Sequence, residues 1–146
     1  MARSAAEAWQ FWAILSAVFA ALTAIFAKTG VAGINPDFAT LLRTLVVLAV
    51  LAGIVAATGQ YQSPGEIAPR SFAFLILSGL ATGASWICYF RALKLGEASR
   101  VAPIDKLSIV LVAVFGVVFL GERLSATNWA GVALIALGAL LVAYKS

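Results

Sequence analysis

Histidine is absent from the sequence, cysteine occurs once, and Asp and Glu together number six among 146 residues. Without histidine, most hydrolytic mechanisms lose their usual general base, and a single cysteine excludes an intrachain disulfide. The sequence also contains no phosphate-binding glycine loop, no metal-ligand cluster and no Ser/His/Asp set. We therefore expect that the protein is not an enzyme and uses no metal or cofactor.

Charged residues make up only 11% of the chain and hydrophobic residues 63%, against about 45–50% apolar residues in soluble domains. Outside the connecting loops, too few polar residues remain to cover a soluble surface. The formal charge of +4 would suggest nucleic acid if the basic residues formed a stripe, but they stand singly near the ends of apolar runs. We therefore predict a membrane protein whose solvent is lipid.

Five apolar segments reach the roughly 20 residues that a helix needs to cross the hydrocarbon core. The predicted spans are residues 9–27, 37–58, 71–93, 101–120 and 128–144. We expect the first to be retained rather than cleaved as a signal peptide. Pro36 lies near the first turn of the second span, where Asn35 or Asp37 could cap the helix.

Only the connection at residues 59–70 is long, so neighbouring spans are expected to be antiparallel. The predicted fold is a single all-α membrane domain over residues 1–146. Cys88 lies inside an apolar run and is interpreted as a structural thiol.

Four spans bring ionisable side chains into one leaflet, and the most prominent is Asp105. A charge in hydrocarbon costs from about 2.5 kcal/mol upward, so Asp105 needs a partner. Lys106 is expected to be a poor one, because consecutive helical side chains point about 100° apart. Arg43 is the preferred candidate and Arg91 the next, whereas Lys28 and Lys106 are expected to reach for the interface.

Two interpretations of Asp105 stay open. In the first, it forms a structural ion pair that locks the second and fourth helices together. In the second, it borders a solute path as a titratable gate or counter-ion.

The third span carries polar side chains on one face, at spacings of four, three and four residues. They are Ser78, Thr82, Ser85 and Tyr89. They could line a polar cavity, or the hydroxyls could bond back to their own helix. Trp86 and Tyr89 lie deep in the span, where aromatic side chains with a polar handle suit either a solute pocket or core packing.

Paired glycines mark two surfaces suited to close helix association. Gly79 and Gly83 form a small-xxx-small pair on the third span, and Gly131 and Gly138 lie seven apart on the fifth. Packing within the chain and contact between subunits both remain open for the second pair.

The run "YFRALKLGEASRVAPIDKLSIVLVAVFGVVFLGERLS", residues 89–125, resembles the signature of EamA-type transporters of the drug/metabolite transporter superfamily. Its features are "RAL" closing the third helix, "GEAS" in the turn, a proline and an aspartate entering the fourth helix, and "FLGE" at its end. The rest of the chain is similar to the small bacterial and archaeal group that has a single five-helix repeat.

The resemblance implies a dimer, because larger relatives pair two five-helix repeats of opposite topology around one cavity. An antiparallel homodimer or a heterodimer with a paralogue would satisfy this. Without the residues inside the spans, basic residues number three on the N-terminal face and four on the other, so the orientation signal is weak. By family analogy, the first, third and fourth helices line the cavity. That analogy points to Thr23, Ser85, Trp86, Tyr89 and Asp105.

The first span departs from the small multidrug exporters of the same superfamily, which depend on a glutamate in the middle of that helix. Here no acidic residue lies between Trp9 and Lys28. Export of cationic drugs by that mechanism is therefore not expected, and the basic residues Lys28, Arg43 and Arg91 suit anionic, zwitterionic or amino-acid-like solutes.

The sequence thus predicts a multi-pass inner-membrane transporter that moves a small metabolite by alternating access, with proton coupling left open. The candidate substrate-binding or gating residues are Thr23, Arg43, Ser85, Trp86, Tyr89, Arg91, Asp105 and Lys106. Two alternatives remain, a lipid-carrier translocator and a non-transporting accessory subunit of a heterodimer.

Overall fold

The computed structural model describes residues 8–144, and these residues form helices joined by turns, without strands. Arg3 and Lys145, which enter the charge count above, lie outside the described residues. The helices are α1 (Trp9–Gly30), α2 (Pro36–Thr58), α3 (Pro69–Leu95), α4 (Ala98–Asp105), α5 (Ser108–Leu120) and α6 (Ala126–Ala143), with a short 3₁₀ turn at Pro64–Glu66.

Five helical segments of the described chain are long and apolar enough to cross a membrane. They are α1, α2, α3, the pair α4 and α5 taken together as Ala98–Leu120, and α6. The prediction of five spans in an all-α membrane protein is confirmed, with ends that agree within about three residues. The protein is therefore a multi-pass membrane protein.

The start and end of α2 follow from local chemistry. The Asn35 side chain caps the helix, because its Oδ1 accepts hydrogen bonds from the backbone N–H groups of Asp37 at 2.8 Å and Phe38 at 3.3 Å. Pro36 needs no N–H partner at the first helical position. At the other end Gly59 adopts a left-handed conformation with φ of 65°, and its N–H bonds to the Val55 carbonyl.

The fourth span is interrupted between α4 and α5, at Lys106 and Leu107. Pro103, inside α4, has no N–H to donate and crowds the preceding turn. The chain continues through tight bonds three residues apart, from Leu107 N–H to the Ile104 carbonyl and from Ile109 N–H to the Lys106 carbonyl, both 3.0 Å. The predicted span at residues 101–120 stands as one membrane-crossing segment, Ala98–Leu120, and the turn within it was not predicted.

The chain divides into two compact units. The hairpin unit, residues 29–94, contains α2, α3 and the loop between them. Its buried residues are Val31, Ala39, Thr40, Phe90 and Leu93, around the start of α2 and the end of α3. The other unit comprises residues 1–28 and 95–146, in which α6 packs against both α4 and α5. The expectation of one domain over the whole chain stays a prediction.

Large apolar side chains are exposed along the spans. In water such a surface would aggregate, whereas lipid chains solvate it. The exposed Cys88 belongs to this apolar surface rather than to a packed interior, which differs from the interpretation of a packed structural thiol.

Candidate functional site

The best-defined polar contact in the hairpin unit is the ion pair between Asp37 and Arg91. Arg91 Nε donates to Asp37 Oδ1 at 2.8 Å, and Arg91 Nη2 donates to Asp37 Oδ2 at 2.7 Å. Both carboxylate oxygens are therefore engaged in a bidentate arrangement. From the sequence, Asp37 was predicted only as a candidate helix cap and Arg91 as the second candidate partner for Asp105. The pair between them was not predicted.

Lys94 extends the same arrangement at the open end of the hairpin. Its Nζ donates to the Ile34 backbone carbonyl at 2.6 Å, just before the cap of α2. Together with the Asp37–Arg91 pair, this bond ties the end of α3 to the start of α2.

Two cations of the other unit also bond to backbone carbonyls near helix ends. Lys28 Nζ donates to the Gly96 carbonyl at 2.8 Å, and Arg100 Nη2 donates to the Ala143 carbonyl at 2.8 Å. Carbonyls near helix C-termini lack partners within the helix, and a cation there also interacts favourably with the negative end of the helix dipole. These positions explain Lys28 and Arg100 as structural groups.

Arg43 is held in a different way, on the faces of aromatic rings. Its guanidinium carbon lies 4.1 Å from the centroid of the Trp86 ring and 5.4 Å from that of Phe90. Trp86 is half-buried and Phe90 is almost fully buried. We call these three residues the Arg43 cluster. The expected Arg43–Asp105 pair would join residues of different units and stays a prediction.

Asp105 binds Lys106, with Lys106 Nζ 3.3 Å from Asp105 Oδ2. The expectation that Lys106 would be a poor partner is wrong. It assumed a regular helix, but the helix ends at Asp105, and Lys106 already lies in the turn before α5. The bond is single and both side chains are partly exposed, so Asp105 keeps capacity to accept further hydrogen bonds.

The predicted polar face of α3 proves mixed. Thr82 Oγ1 donates to the Ser78 carbonyl of its own helix at 2.8 Å, as the more conservative interpretation expected. Ser85 is exposed and Tyr89 is half-buried, next to Trp86 and Phe90 in the sequence. Thr23 is half-buried on α1 in the other unit. A common cavity for these residues stays a prediction.

The paired glycines leave open space around them. A methyl group placed on Gly79, Gly83, Gly131 or Gly138 would meet no atom within 4 Å in the described part of the chain, apart from its own helix. Close packing within the chain therefore does not explain these glycines. Gly116, which sequence analysis did not single out, is instead the glycine that packs closely, against the Glu122 side chain.

No group of three or more His, Cys, Asp and Glu residues that could hold a metal ion occurs between residues 8 and 144. What the arrangement can do chemically is bind charged groups. Asp37 and Arg91 bind each other through two hydrogen bonds, whereas Asp105 has one weak partner and Arg43 no hydrogen-bond partner in the described chain.

Comparison with known proteins agrees with this arrangement of helices. The model of the EamA-like transporter family matches residues 7–144. A protein of Sinorhizobium sp, named "Uncharacterized transporter in cobO 3'region", is 72% identical over 137 residues, which cover 94% of this chain and 97% of the relative. No solved structure matches the chain significantly. This membrane protein is a transporter rather than an enzyme, and it belongs to the EamA-like transporter family.

Proposed function

We propose that the protein moves a small metabolite across the membrane by alternating access, as a dimer. The observation that carries this proposal is the break in the fourth span between α4 and α5. Asp105 lies about 10 Å into that span, and α5 continues for about 20 Å beyond the break. The interruption is therefore inside the membrane-spanning segment rather than at its rim.

A short stretch of bonds three residues apart inside a helix often marks a functional hinge. Interrupted helices with charged side chains at the break are typical of transporter binding sites. Asp105 and Lys106 stand at this break, so they are the proposed gating groups of the solute path.

The proposed solute is amino-acid-like, zwitterionic or anionic. Support comes from the basic residues within the spans, which outnumber the acidic ones. In the hairpin unit, Asp37 and Glu66 are the acidic residues, against four arginines and lysines at 43, 70, 91 and 94. A path bordered by this excess of cations attracts anions and repels cationic drugs.

The dimer is proposed because a single five-helix repeat supplies only half of the family's paired architecture. The open space beside Gly131 and Gly138 on α6 would let a helix of a second copy approach closely. An antiparallel homodimer and a heterodimer with a paralogue both remain compatible with this surface.

Purified protein reconstituted alone into proteoliposomes tests the function. The vesicles would be loaded with a mixture of amino acids, carboxylic acids and sugar phosphates, and the retained amounts measured by mass spectrometry with and without a pH gradient. Selective loss of one solute class supports the proposal. Flipping of a lipid-linked carrier without solute loss would support a lipid translocator, and no flux of either kind would support an accessory subunit.

A further inference from the structure

Arg43 differs from Arg91 and Lys94 of the hairpin unit because aromatic side chains, rather than a carboxylate or a carbonyl, hold it. Arg91 binds both carboxylate oxygens of Asp37, and Lys94 donates to the Ile34 carbonyl. For the Arg43 guanidinium, the structure gives no hydrogen bond or carboxylate partner within residues 8–144; it contacts the rings of Trp86 and Phe90 and interacts electrostatically with the Tyr89 phenol.

The hairpin unit has no spare carboxylate for Arg43. Its acidic residues are Asp37 and Glu66. Both oxygens of Asp37 are taken by Arg91, and Glu66 lies in the 3₁₀ turn at the opposite end of the hairpin. A positive charge in a membrane-spanning helix is expensive unless it is paired, and aromatic rings offset only part of that cost. The hairpin unit therefore offers Arg43 no carboxylate as a counter-charge.

The Arg43 side chain does not reach for the end of the helix, as a snorkelling arginine would. Its guanidinium lies closer to Trp86 than to Phe90, and Trp86 is the one farther from the end of α3 at Leu95. The pairing of Asp37 with Arg91 places Arg43 and Trp86 at similar depth, because the two helices are antiparallel. Arg43 follows Asp37 by six residues, and Trp86 precedes Arg91 by five. Arg43 is held at about 10 Å beyond the start of α2.

The aromatic contacts leave the hydrogen-bond donors of the guanidinium unused. Cation–π attraction needs no hydrogen bond, and the five N–H donors of the group lie in one plane along its edge. Two of those donors match the spacing of two oxygens of a carboxylate or a phosphate. Trp86 and Phe90, four residues apart on one face of α3, thus fix the direction in which Arg43 presents this edge.

We propose that Arg43, positioned by Trp86 and Phe90, binds a carboxylate or phosphate group of the transported solute. This inference rests on the proposed transport function, because only that function makes the bound group part of a transported solute. Binding to Arg43 can be measured without transport. A negative binding experiment would therefore leave the transport proposal standing, and a negative transport experiment would leave the binding inference standing.

The test uses the full chain in a maltoside detergent, which contains no oxyanion. Trp9, Trp12 and Trp129 are replaced by Phe, so that the fluorescence of Trp86 reports on the cluster. The probes are propionate and inorganic phosphate, with propionamide as the neutral control of similar shape. A short-chain phosphatidylglycerol, added as monomers, tests whether a lipid headgroup supplies the oxyanion instead.

We expect a saturable change in Trp86 emission with propionate or phosphate and none with propionamide. Arg43→Gln should weaken binding at least ten-fold, and Arg43→Lys, which keeps the charge but loses the planar fork, should weaken it several-fold. Arg70→Gln is the matched control, because Arg70 also lies over a ring, that of Phe74 at 5.9 Å, but at the start of α3. It should leave binding unchanged.

Binding of the lipid alone would support the oxyanion site but assign it to a headgroup, which would count against the soluble metabolite. If no probe binds, or if Arg43→Gln and Arg43→Lys both bind like the parent, the inference is overturned. If the triple tryptophan replacement fails to fold, isothermal titration calorimetry can measure binding of the same probes to the chain with all four tryptophans and to its Arg43 variants. The same outcomes then support or overturn the inference.

Discussion

Asp37 and Arg91 are 54 residues apart in the sequence, yet two hydrogen bonds of 2.8 and 2.7 Å join them. Since the loop between α2 and α3 closes one end of the hairpin, this pair closes the other. It fixes the register of the two helices, and through that register it sets which residues of α3 face Arg43. The pair is thus a structural clasp that supports the neighbouring Arg43 cluster.

Removal of either partner of this pair should destabilise the protein more than removal of both. Asp37→Asn leaves the Arg91 guanidinium without its carboxylate, and Arg91→Gln leaves the carboxylate without its cation, whereas the double variant leaves neither. Unfolding in mixed micelles, followed by tryptophan fluorescence, would give the coupling. The charge-swapped variant, Asp37→Arg with Arg91→Asp, should recover part of the stability.

The control for this cycle combines Asp37→Asn with Lys94→Gln. Lys94 lies one turn from Arg91 but donates to a backbone carbonyl, so its loss should add to that of Asp37 without coupling. Equal, additive losses in both cycles would contradict an energetic role for the clasp. The same cycle applied to Arg43 and Asp105 measures the pairing that was predicted from the sequence.

The helix spans could be predicted because they depend on local properties. A run of about 20 apolar residues has few alternatives to a membrane helix, and the capping of α2 by Asn35 involves atoms only two and three residues away. The long polar loop, with its two prolines, likewise marks its own position in the sequence. Such features need no knowledge of the remaining chain.

The ion pairs could not be predicted, because they depend on register and on departures from regular geometry. Four cations compete for Asp37 and Asp105 in the sequence, and nothing local decides between them. The rejection of Lys106 failed because the end of α4 at Asp105, just before Lys106, was not predicted from the sequence. The stacking of Arg43 follows only once Asp37 and Arg91 align the hairpin, although Trp86 had already stood out by its depth.

Restoring a continuous fourth span should stabilise the protein and slow transport. Pro103→Ala supplies the missing N–H and removes the crowding ring, and proline inside a helix costs about 3 kcal/mol relative to alanine. We expect a gain in unfolding free energy of up to about that size, with solute flux in proteoliposomes reduced several-fold. A straighter, stiffer span would no longer present Asp105 and Lys106 at a break.

The matched control for this change is Pro69→Ala, which makes the same replacement at the first residue of α3. No intrahelical partner is lost to a proline there, so neither stability nor flux should change appreciably. Unaltered flux with Pro103→Ala, in protein that retains its helical circular dichroism, would remove the break from the transport mechanism.

The antiparallel homodimer, one of the two dimers compatible with the proposal, predicts that both ends of α2 are accessible from both sides of the membrane. Gly33→Cys and Ser63→Cys place single thiols before and after α2, at exposed positions, in a chain where Cys88 is replaced by Ala. A cysteine at Gly33 meets no atom within 4 Å of its Cβ, so the replacement should be tolerated. In intact cells and in inverted vesicles, a membrane-impermeant maleimide should label each thiol partially from either side, because half of the copies point each way. Strict one-sided labelling, with the two sites on opposite faces of the membrane, would exclude the antiparallel homodimer. It would leave the heterodimer, because a paralogue inserted in the opposite orientation needs this chain in one orientation only.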